Sequence, residues 1–246
     1  MPLTLSDRGV QSWQVRKIAV IGPGIVGMPM AALLAHSRIC EGSDTPAQVV
    51  VVQRDSPTSG WKVDAINAGK SPIGGVEPDL DRVVAESVAA GLLSATRDYA
   101  GLRDADVILV CVQTDKAGIA PDYGPLFEAL THVAETLRTR PAGNVPLIVF
   151  ESTLAPSSMA TVIREHFARY GLIEGRDILL GNSPNRVMPG RLVSSMKWLS
   201  ASHFRLLLIR RGPVSGGRSS VRARVIAFCE LRISNGWRVA IIVSKR

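Results

Sequence analysis

The sequence predicts an α/β protein with a doubly wound parallel sheet, followed by an irregular basic C-terminal tail. Three observations support this prediction. Short apolar, β-branched runs alternate with helical patterns between residues 15 and 191, as expected of parallel βαβ units. The first run leads directly into the glycine pattern G-x-G-x-x-G at residues 22–27. Basic residues concentrate in residues 192–246, where the alternation ends.

The composition is that of an ordinary globular protein, with 46% apolar residues in a chain of 246. The net charge of +8 belongs to the tail, because residues 1–191 hold 18 basic and 20 acidic residues. We therefore expect neither a nucleic-acid partner nor a membrane partner for the body of the chain. Three scattered cysteines and the absence of an apolar signal-peptide region favour a cytoplasmic protein.

The stretch KIAVIGPGIVGMPMAALLAH contains 18 uncharged residues, 18–35, a length close to that of a membrane span. Gly-Pro-Gly in its middle argues against a spanning helix. KIAVIG instead has the composition of a buried strand, and IVGMPMAALLAH that of a helix. The glycines then have separate tasks: a tight turn at Gly22, close approach of a pyrophosphate at Gly24, and helix–strand packing at Gly27.

The remaining elements follow the same alternation. Apolar runs predict strands, and amphipathic patterns between them predict helices. We expect strands at residues 47–54, 92–96, 105–114, 145–153 and 177–184, and helices at residues 63–69, 78–91, 123–140 and 155–171. The result is a Rossmann-like domain over residues 15–191 and a divergent tail over residues 192–246.

The end of the second strand leaves the cofactor form open. A dinucleotide fold usually has an acid here that bonds the ribose hydroxyls, but this chain has Gln53 and Arg54, with Asp55 slightly late. The Arg54 side chain would bind a 2′-phosphate, stack on the adenine ring, or be solvated without contacting the cofactor. We therefore expect NAD without excluding NADP. The four histidines match no ligand spacing, so no metal site is expected.

Four further stretches go beyond a generic dinucleotide fold: INAGKSPIGGVEPDL, DADVILVCVQT, ESTLAP and NSPNRVMPGR. Together with GPGIVGMP, in this order and spacing, they resemble the N-terminal half of the UDP-glucose/GDP-mannose dehydrogenase family. The resemblance implies an NAD-dependent oxidoreductase that oxidises the C6 alcohol of a nucleotide sugar to a carboxylate, for polysaccharide precursor synthesis. It also implies that members of the family form homodimers through a middle helical region.

The resemblance assigns roles to individual residues. Thr153 matches a threonine that helps to hold the catalytic water, although it would also suit a helix N-cap. Thr114 matches a threonine near the cofactor, although a strand-terminal hydroxyl also suits a turn. Asn185 stands where many relatives have a glutamate, and an amide orients a water without acting as a base. The full cofactor-binding set is expected to be Gly22, Gly24, Ile25, Val26, Gly27, Gln53, Arg54, Val112, Thr114 and Glu151, and the catalytic pair Thr153 and Asn185.

The resemblance stops after Arg191. The glycine-flanked cysteine nucleophile of the family has no counterpart, since Cys229 lies in AFCELR and Cys111 lies within an apolar strand. The Arg- and Ser-rich tail suggests a shifted reading frame, a disordered segment or an unrelated end. Two alternatives for it are short strands at FRLLLIRR and RVAIIVSKR, or a basic appendage that binds anionic partners.

Two other functions compete with the dehydrogenase. One is a non-catalytic dinucleotide-binding module, which would bind cofactor without turnover. The other is a β-hydroxyacid dehydrogenase, a family with a similar N-terminal domain. We rank the latter low because it lacks the SPIGGVEPDL, ESTLAP and NSPNRVMPGR set.

Overall fold

The computed structural model describes the greater part of the chain. Its described ranges are residues 4–6, 9–12, 15–38, 44–75, 77–117, 120–141, 144–155, 157–183, 189–193, 225–232 and 238–245. The helices are α1 Gly27–His36, α2 Trp61–Asn67, α3 Leu80–Ala89, α4 Gly124–Arg138 and α5 Arg164–Arg169. The strands are β1 Thr4–Ser6, β2 Gly9–Ser12, β3 Lys17–Ile21, β4 Gln48–Val52, β5 Leu93–Thr96, β6 Val107–Val110, β7 Asp115–Ala117, β8 Ala120–Asp122, β9 Leu147–Phe150, β10 Leu179–Asn182, β11 Val225–Arg232 and β12 Arg238–Lys245.

Six strands form a parallel sheet in the order β5-β4-β3-β6-β9-β10. In chain order this is 3-2-1-4-5-6, the arrangement of two mononucleotide-binding halves joined at the first strand. The doubly wound fold is thereby confirmed, with one strand in each predicted range. The strands are shorter than predicted: β6 ends at Val110, so Cys111 and Thr114 lie in the loop after it and not on the strand predicted over residues 105–114. β1–β2 and β7–β8 form separate antiparallel pairs.

Helices cover both faces of the sheet, and successive side chains of each strand point to opposite faces, so the side chains of a strand are buried on both sides. Ile18 and Val20 of β3 pack with α1 and α3 on one side. Ala19 and Ile21 pack with α4 and α5 on the other. The near-continuous apolar runs of the sequence therefore serve two cores at once.

The apolar run of residues 18–35 is divided between β3, the glycine turn and α1. Met28, Ala31, Ala32 and Ala35 of α1 are fully buried against the sheet. Within the described ranges, no helix combines the length and the apolar character that a bilayer span requires.

The helix predicted over residues 155–171 needs correction. The structure has a π-helical turn at Met159–Ile163, and regular α-helix follows only over Arg164–Arg169. Ser157, just before the turn, has a positive φ of 69°. A π-turn adds one residue per hydrogen-bonded loop, which periodicity alone does not reveal in so short a segment.

The prediction of an irregular tail is wrong for two segments. β11 and β12 form an antiparallel hairpin, and β12 pairs with β10 through Gly181 and Val243. The alternative of a strand in RVAIIVSKR is therefore correct, while FRLLLIRR lies outside the described residues. The change of composition indicates irregular structure, whereas the β-branched residues of these runs favour strands.

Candidate nucleotide cleft

A cleft of about 350 Å³ opens at the carboxyl ends of the strands, where the order reverses between β3 and β6. Open α/β sheets bind their ligands at this topological switch point. Five residues from the predicted cofactor set line the cleft, namely Gly22, Gly24, Gln53, Arg54 and Val112. The fold thus brings together residues that lie up to 90 positions apart in the sequence.

The glycine turn forms the floor of the cleft. Gly22 has a φ of +88°, and its N–H donates to the Val52 carbonyl at 3.0 Å. A Cβ at Gly22 would lie only 2.9 Å from the Cys111 carbonyl oxygen. A Cβ at Gly24 would meet nothing within 4 Å. Gly22 is therefore required by the backbone, whereas Gly24 leaves space that a ligand can approach.

The third glycine joins the helix to the turn. A Cβ at Gly27 would collide with the Gly22 carbonyl oxygen and lie 3.0 Å from the Cys111 Cβ. The N-cap, Val26, makes no side-chain capping bond, and Ile25 before it is exposed. The Met28 N–H already donates to the Gly24 carbonyl at 3.0 Å, and Pro29 has no N–H, so the first turn of α1 offers an anion the positive end of the helix dipole and not a row of unbonded N–H groups.

The residues after β4 are held by specific partners. The Gln53 amide donates to Ser59 Oγ at 3.0 Å. Arg54 Nη1 donates to both carboxylate oxygens of Glu128 on α4, at 2.8 and 2.6 Å. Arg54 is thus neither simply solvated nor unpaired, because an acid reaches it from the opposite wall of the cleft.

Asp55 is engaged elsewhere. Its carboxylate lies 3.4 Å from Arg97 Nε, and Arg97 Nη2 also binds Asp64 at 2.6 Å and the Gly60 carbonyl at 3.1 Å. Asp55 is therefore placed to hold the β4–α2 loop against the segment after β5. It does not replace the acid that usually follows the second strand.

An aromatic wall lies beside the Arg54–Glu128 pair. The ring centroids of Tyr99 and His132 are 4.9 Å apart, and both residues line the cleft. Burial, followed by the negative charge of Glu128, raises the pKa of Tyr99 to about 12. Tyr99 is accordingly a neutral phenol that offers an apolar face and a hydrogen-bonding group.

The loops after β6 and β9 meet at the other end of the crevice. Thr114 Oγ1 donates to the Thr153 carbonyl at 2.9 Å. The buried Ser152 donates to the Val112 carbonyl at 2.5 Å. The two threonines predicted to act at the site are therefore neighbours, although the observed bond uses the backbone of Thr153 and not its hydroxyl.

Glu151 is buried at the end of β9, where its N–H donates to the Val110 carbonyl at 2.9 Å. Burial, with a further contribution from Glu151, raises the pKa of the Cys111 thiol well above its ordinary value. The raised pKa keeps the Cys111 thiol protonated at neutral pH, which disfavours it as a nucleophile. Asn185 lies outside the described residues.

Sequence reasoning missed Glu128, Tyr99, His132 and Ser152. Glu128 and His132 are four residues apart, so they share one face of α4. That spacing alone does not predict a site, because it does not indicate that α4 flanks the cleft. In the described part of the chain, no group of three or more His, Cys, Asp or Glu side chains is placed to hold a metal ion.

Comparison with known proteins agrees with the geometry of the cleft. Residues 16–198 match the UDP-glucose/GDP-mannose dehydrogenase family, NAD binding domain. The chain is 32% identical over 185 residues to UDP-N-acetyl-D-mannosamine dehydrogenase of Pyrococcus horikoshii, which covers 75% of this chain and 40% of that protein.

Two solved structures have the same fold. NDP-N-acetyl-D-galactosaminuronic acid dehydrogenase from Methanosarcina mazei matches with a TM-score of 0.66 and 30% identity, covering 78% of this chain and 38% of the other. GDP-mannose dehydrogenase from Pseudomonas aeruginosa, in a ternary complex, matches with a TM-score of 0.64 and 26% identity, covering 73% and 38%.

The chain spans about 40% of the length of these relatives. The matched part is the part that carries the parallel sheet, the glycine turn and the cleft. The open space at Gly24, beside the N-terminus of α1, fits the pyrophosphate of the NAD that this domain binds. The chain therefore belongs to the UDP-glucose/GDP-mannose dehydrogenase family, and residues 16–198 are its NAD binding domain.

Proposed function

We propose that this chain supplies the cofactor half of a nucleotide-sugar 6-dehydrogenase. The observation that carries the proposal is the cleft itself: a glycine turn with open space at Gly24, a helix N-terminus without a side-chain cap, and a paired carboxylate in one crevice. Bound NAD would serve as the hydride acceptor. Gly22, Gly24 and the first turn of α1 would hold the pyrophosphate.

The reaction class we propose is oxidation of a sugar C6 alcohol to a carboxylate. The relatives named above are dehydrogenases of UDP- and GDP-linked sugars, and we extend that substrate class to this chain. Thr153 and Asn185 would hold the water that the second half of the reaction consumes. Glu151, at the end of β9, would lie on the nicotinamide side.

We further propose that the chain of 246 residues binds cofactor without turning over a sugar. Cys111 is a protonated thiol beside Glu151, and Cys229 lies within strand β11. Neither matches the glycine-flanked nucleophile that the family resemblance implies. A non-catalytic dinucleotide-binding module is the second candidate, and the same properties support it. The cysteine pattern also favours a reducing compartment, so we propose a cytoplasmic location.

Calorimetric titration with NAD⁺ tests binding, and NADH absorbance in the presence of UDP-N-acetylmannosamine, UDP-glucose or GDP-mannose tests turnover. We expect saturable binding of NAD⁺ and no NADH formation. Absence of binding would refute the cofactor role. NADH formation would refute the proposed lack of turnover and identify the chain as a complete enzyme.

A further inference from the structure

The wall of the cleft around Arg54 has the donor set of a phosphate site. Arg54, Lys62, Thr58 and Ser59 all line this end of the cleft. A guanidinium, an ammonium and two hydroxyls are the groups that proteins use to bind a phosphate dianion. Considered without Glu128, this end of the cleft would favour a dinucleotide with a phosphate on the 2′-oxygen of its adenosine ribose.

No carboxylate from the segment after β4 lines the cleft beside these donors. Gln53 is neutral and bonds Ser59. Asp55 is paired with Arg97. The discrimination that an acid usually provides at the end of the second strand must therefore come from another element.

Glu128 reaches this position from α4, 74 residues further along the chain. Its carboxylate receives two short bonds from Arg54, and both side chains are about half exposed, at 48% and 52%. A ribose diol donates hydrogen bonds to a carboxylate, whereas a 2′-phosphate is repelled by it and competes with it for Arg54.

We propose that Glu128 sets the preference of this domain for NAD over NADP. Its carboxylate takes the place of the missing acid at the end of β4, accepts the ribose hydroxyls, and holds Arg54 in an ion pair that a 2′-phosphate would have to break. The inference rests on the proposed cofactor role of the cleft, and Glu128 acts here through direct contact with the ribose.

The test compares 5′-AMP with adenosine 2′,5′-bisphosphate, which differ only by the 2′-phosphate, in calorimetric titrations at low and high salt. We expect wild type to prefer 5′-AMP. In E128Q this preference should fall about tenfold or more, because one negative charge is lost next to the phosphate. In R54Q the preference for 5′-AMP should increase, because the charge of Glu128 is no longer neutralised by Arg54 and repels the 2′-phosphate more strongly. Both changes should shrink at high salt.

E86Q is the matched control. Glu86 is 49% exposed and is paired with Arg82 at 3.0 Å on α3, away from the cleft. It should leave the ratio of the two affinities unchanged. Thermal unfolding of each variant checks that the fold is intact. Because the readout is a ratio of two ligands on one protein, a general loss of folded protein does not alter it.

The outcomes separate the inference from the proposed function. Binding of 5′-AMP by wild type with an unchanged ratio in E128Q would overturn the role of Glu128 and leave the cofactor role standing. A wild-type preference for adenosine 2′,5′-bisphosphate would overturn it as well. If wild type binds neither NAD⁺ nor 5′-AMP, both the cofactor role and the inference fail.

Discussion

The two ends of the crevice differ in how fully the described residues build them. At the end that we propose to take the adenosine, the glycine turn, the Arg54–Glu128 pair and the Tyr99–His132 wall enclose a cleft with defined partners. At the other end, Thr114 and Thr153 are linked through a backbone carbonyl, and Asn185 lies outside the described residues. The first end has the parts that bind a dinucleotide, whereas the second has only some of those that would act on a substrate.

This difference implies that affinity for cofactor and capacity for turnover are separable in this chain. Under the proposed cofactor role, we expect affinity to come mainly from the pyrophosphate and adenosine, held by backbone groups and fixed charges. Turnover requires groups that contact the reacting carbon and a water. Variants at the two ends should therefore have different consequences for NAD⁺ binding.

The largest effect is expected from G24A. The new methyl would point into open space in the protein alone, since nothing lies within 4 Å of that position. It would occupy the space that the pyrophosphate needs, so NAD⁺ affinity should fall roughly tenfold to a hundredfold, as for overpacking of 1–3 kcal/mol. Calorimetric titration measures the affinity, and urea unfolding should show a stability within about 1 kcal/mol of wild type.

G27A is the matched comparison for G24A. Its methyl would meet the Gly22 carbonyl oxygen and the Cys111 Cβ whether or not cofactor is present. The free energy of unfolding should therefore fall by about 1–3 kcal/mol. If G24A were as destabilised as G27A, its loss of affinity would reflect unfolding, and the assignment of Gly24 to the pyrophosphate would be wrong.

A smaller effect is expected from pH at Cys111, which lies between the two ends. A thiol whose pKa is higher in the folded protein stabilises the fold fully below the unfolded pKa, near 9.0, and loses this contribution as pH rises through the folded pKa. Urea unfolding from pH 7 to 10 should show a decline that begins near pH 9, with a slope of at most about 1.4 kcal/mol per pH unit.

C111A provides the control for this pH dependence. The variant removes the thiol and should show a flatter profile between pH 9 and 10. Tyr99 contributes only above pH 10, because its pKa rises from 10.0 in the unfolded chain to about 12 in the folded protein. A native Cys111 that is alkylated at pH 8 as fast as in the unfolded chain would contradict the assignment of a protonated thiol.

The sequence predicted what depends on local patterns. β3, β6 and β9 follow from apolar β-branched runs, and Gly22 and Gly27 from the spacing of the turn, because each requirement lies within a few residues of its cause. The role of Glu128 depends on α4 crossing to the end of β4, a contact between residues 54 and 128 that no local pattern encodes.

In the C-terminal tail, a local pattern of charges gave a wrong prediction. Residues 225–232 and 238–245 contain ordinary strand formers, but the arginines around them led to a prediction of irregular structure. Charge composition indicates solvation of side chains, whereas strand formation depends on the backbone and on β-branched residues. The division of the chain at residue 191 stays a prediction, and β12 pairs with β10 across it.

The smallest effect is expected from T114V, which probes the second end of the crevice. Valine keeps the shape of threonine and removes only the bond to the Thr153 carbonyl, so stability should fall by about 0.5–1.5 kcal/mol. T139V removes a comparable exposed bond of 2.8 Å at the end of α4, away from the cleft, and serves as the control. The family resemblance places Thr114 near the cofactor, but its hydroxyl is engaged by the Thr153 carbonyl and lies outside the adenosine and pyrophosphate contacts proposed above. We therefore expect NAD⁺ affinity within about twofold of wild type for both variants. A tenfold loss in T114V alone would show that the loop after β6 holds the cofactor as firmly as the glycine turn does, and the separation of the two ends would no longer stand.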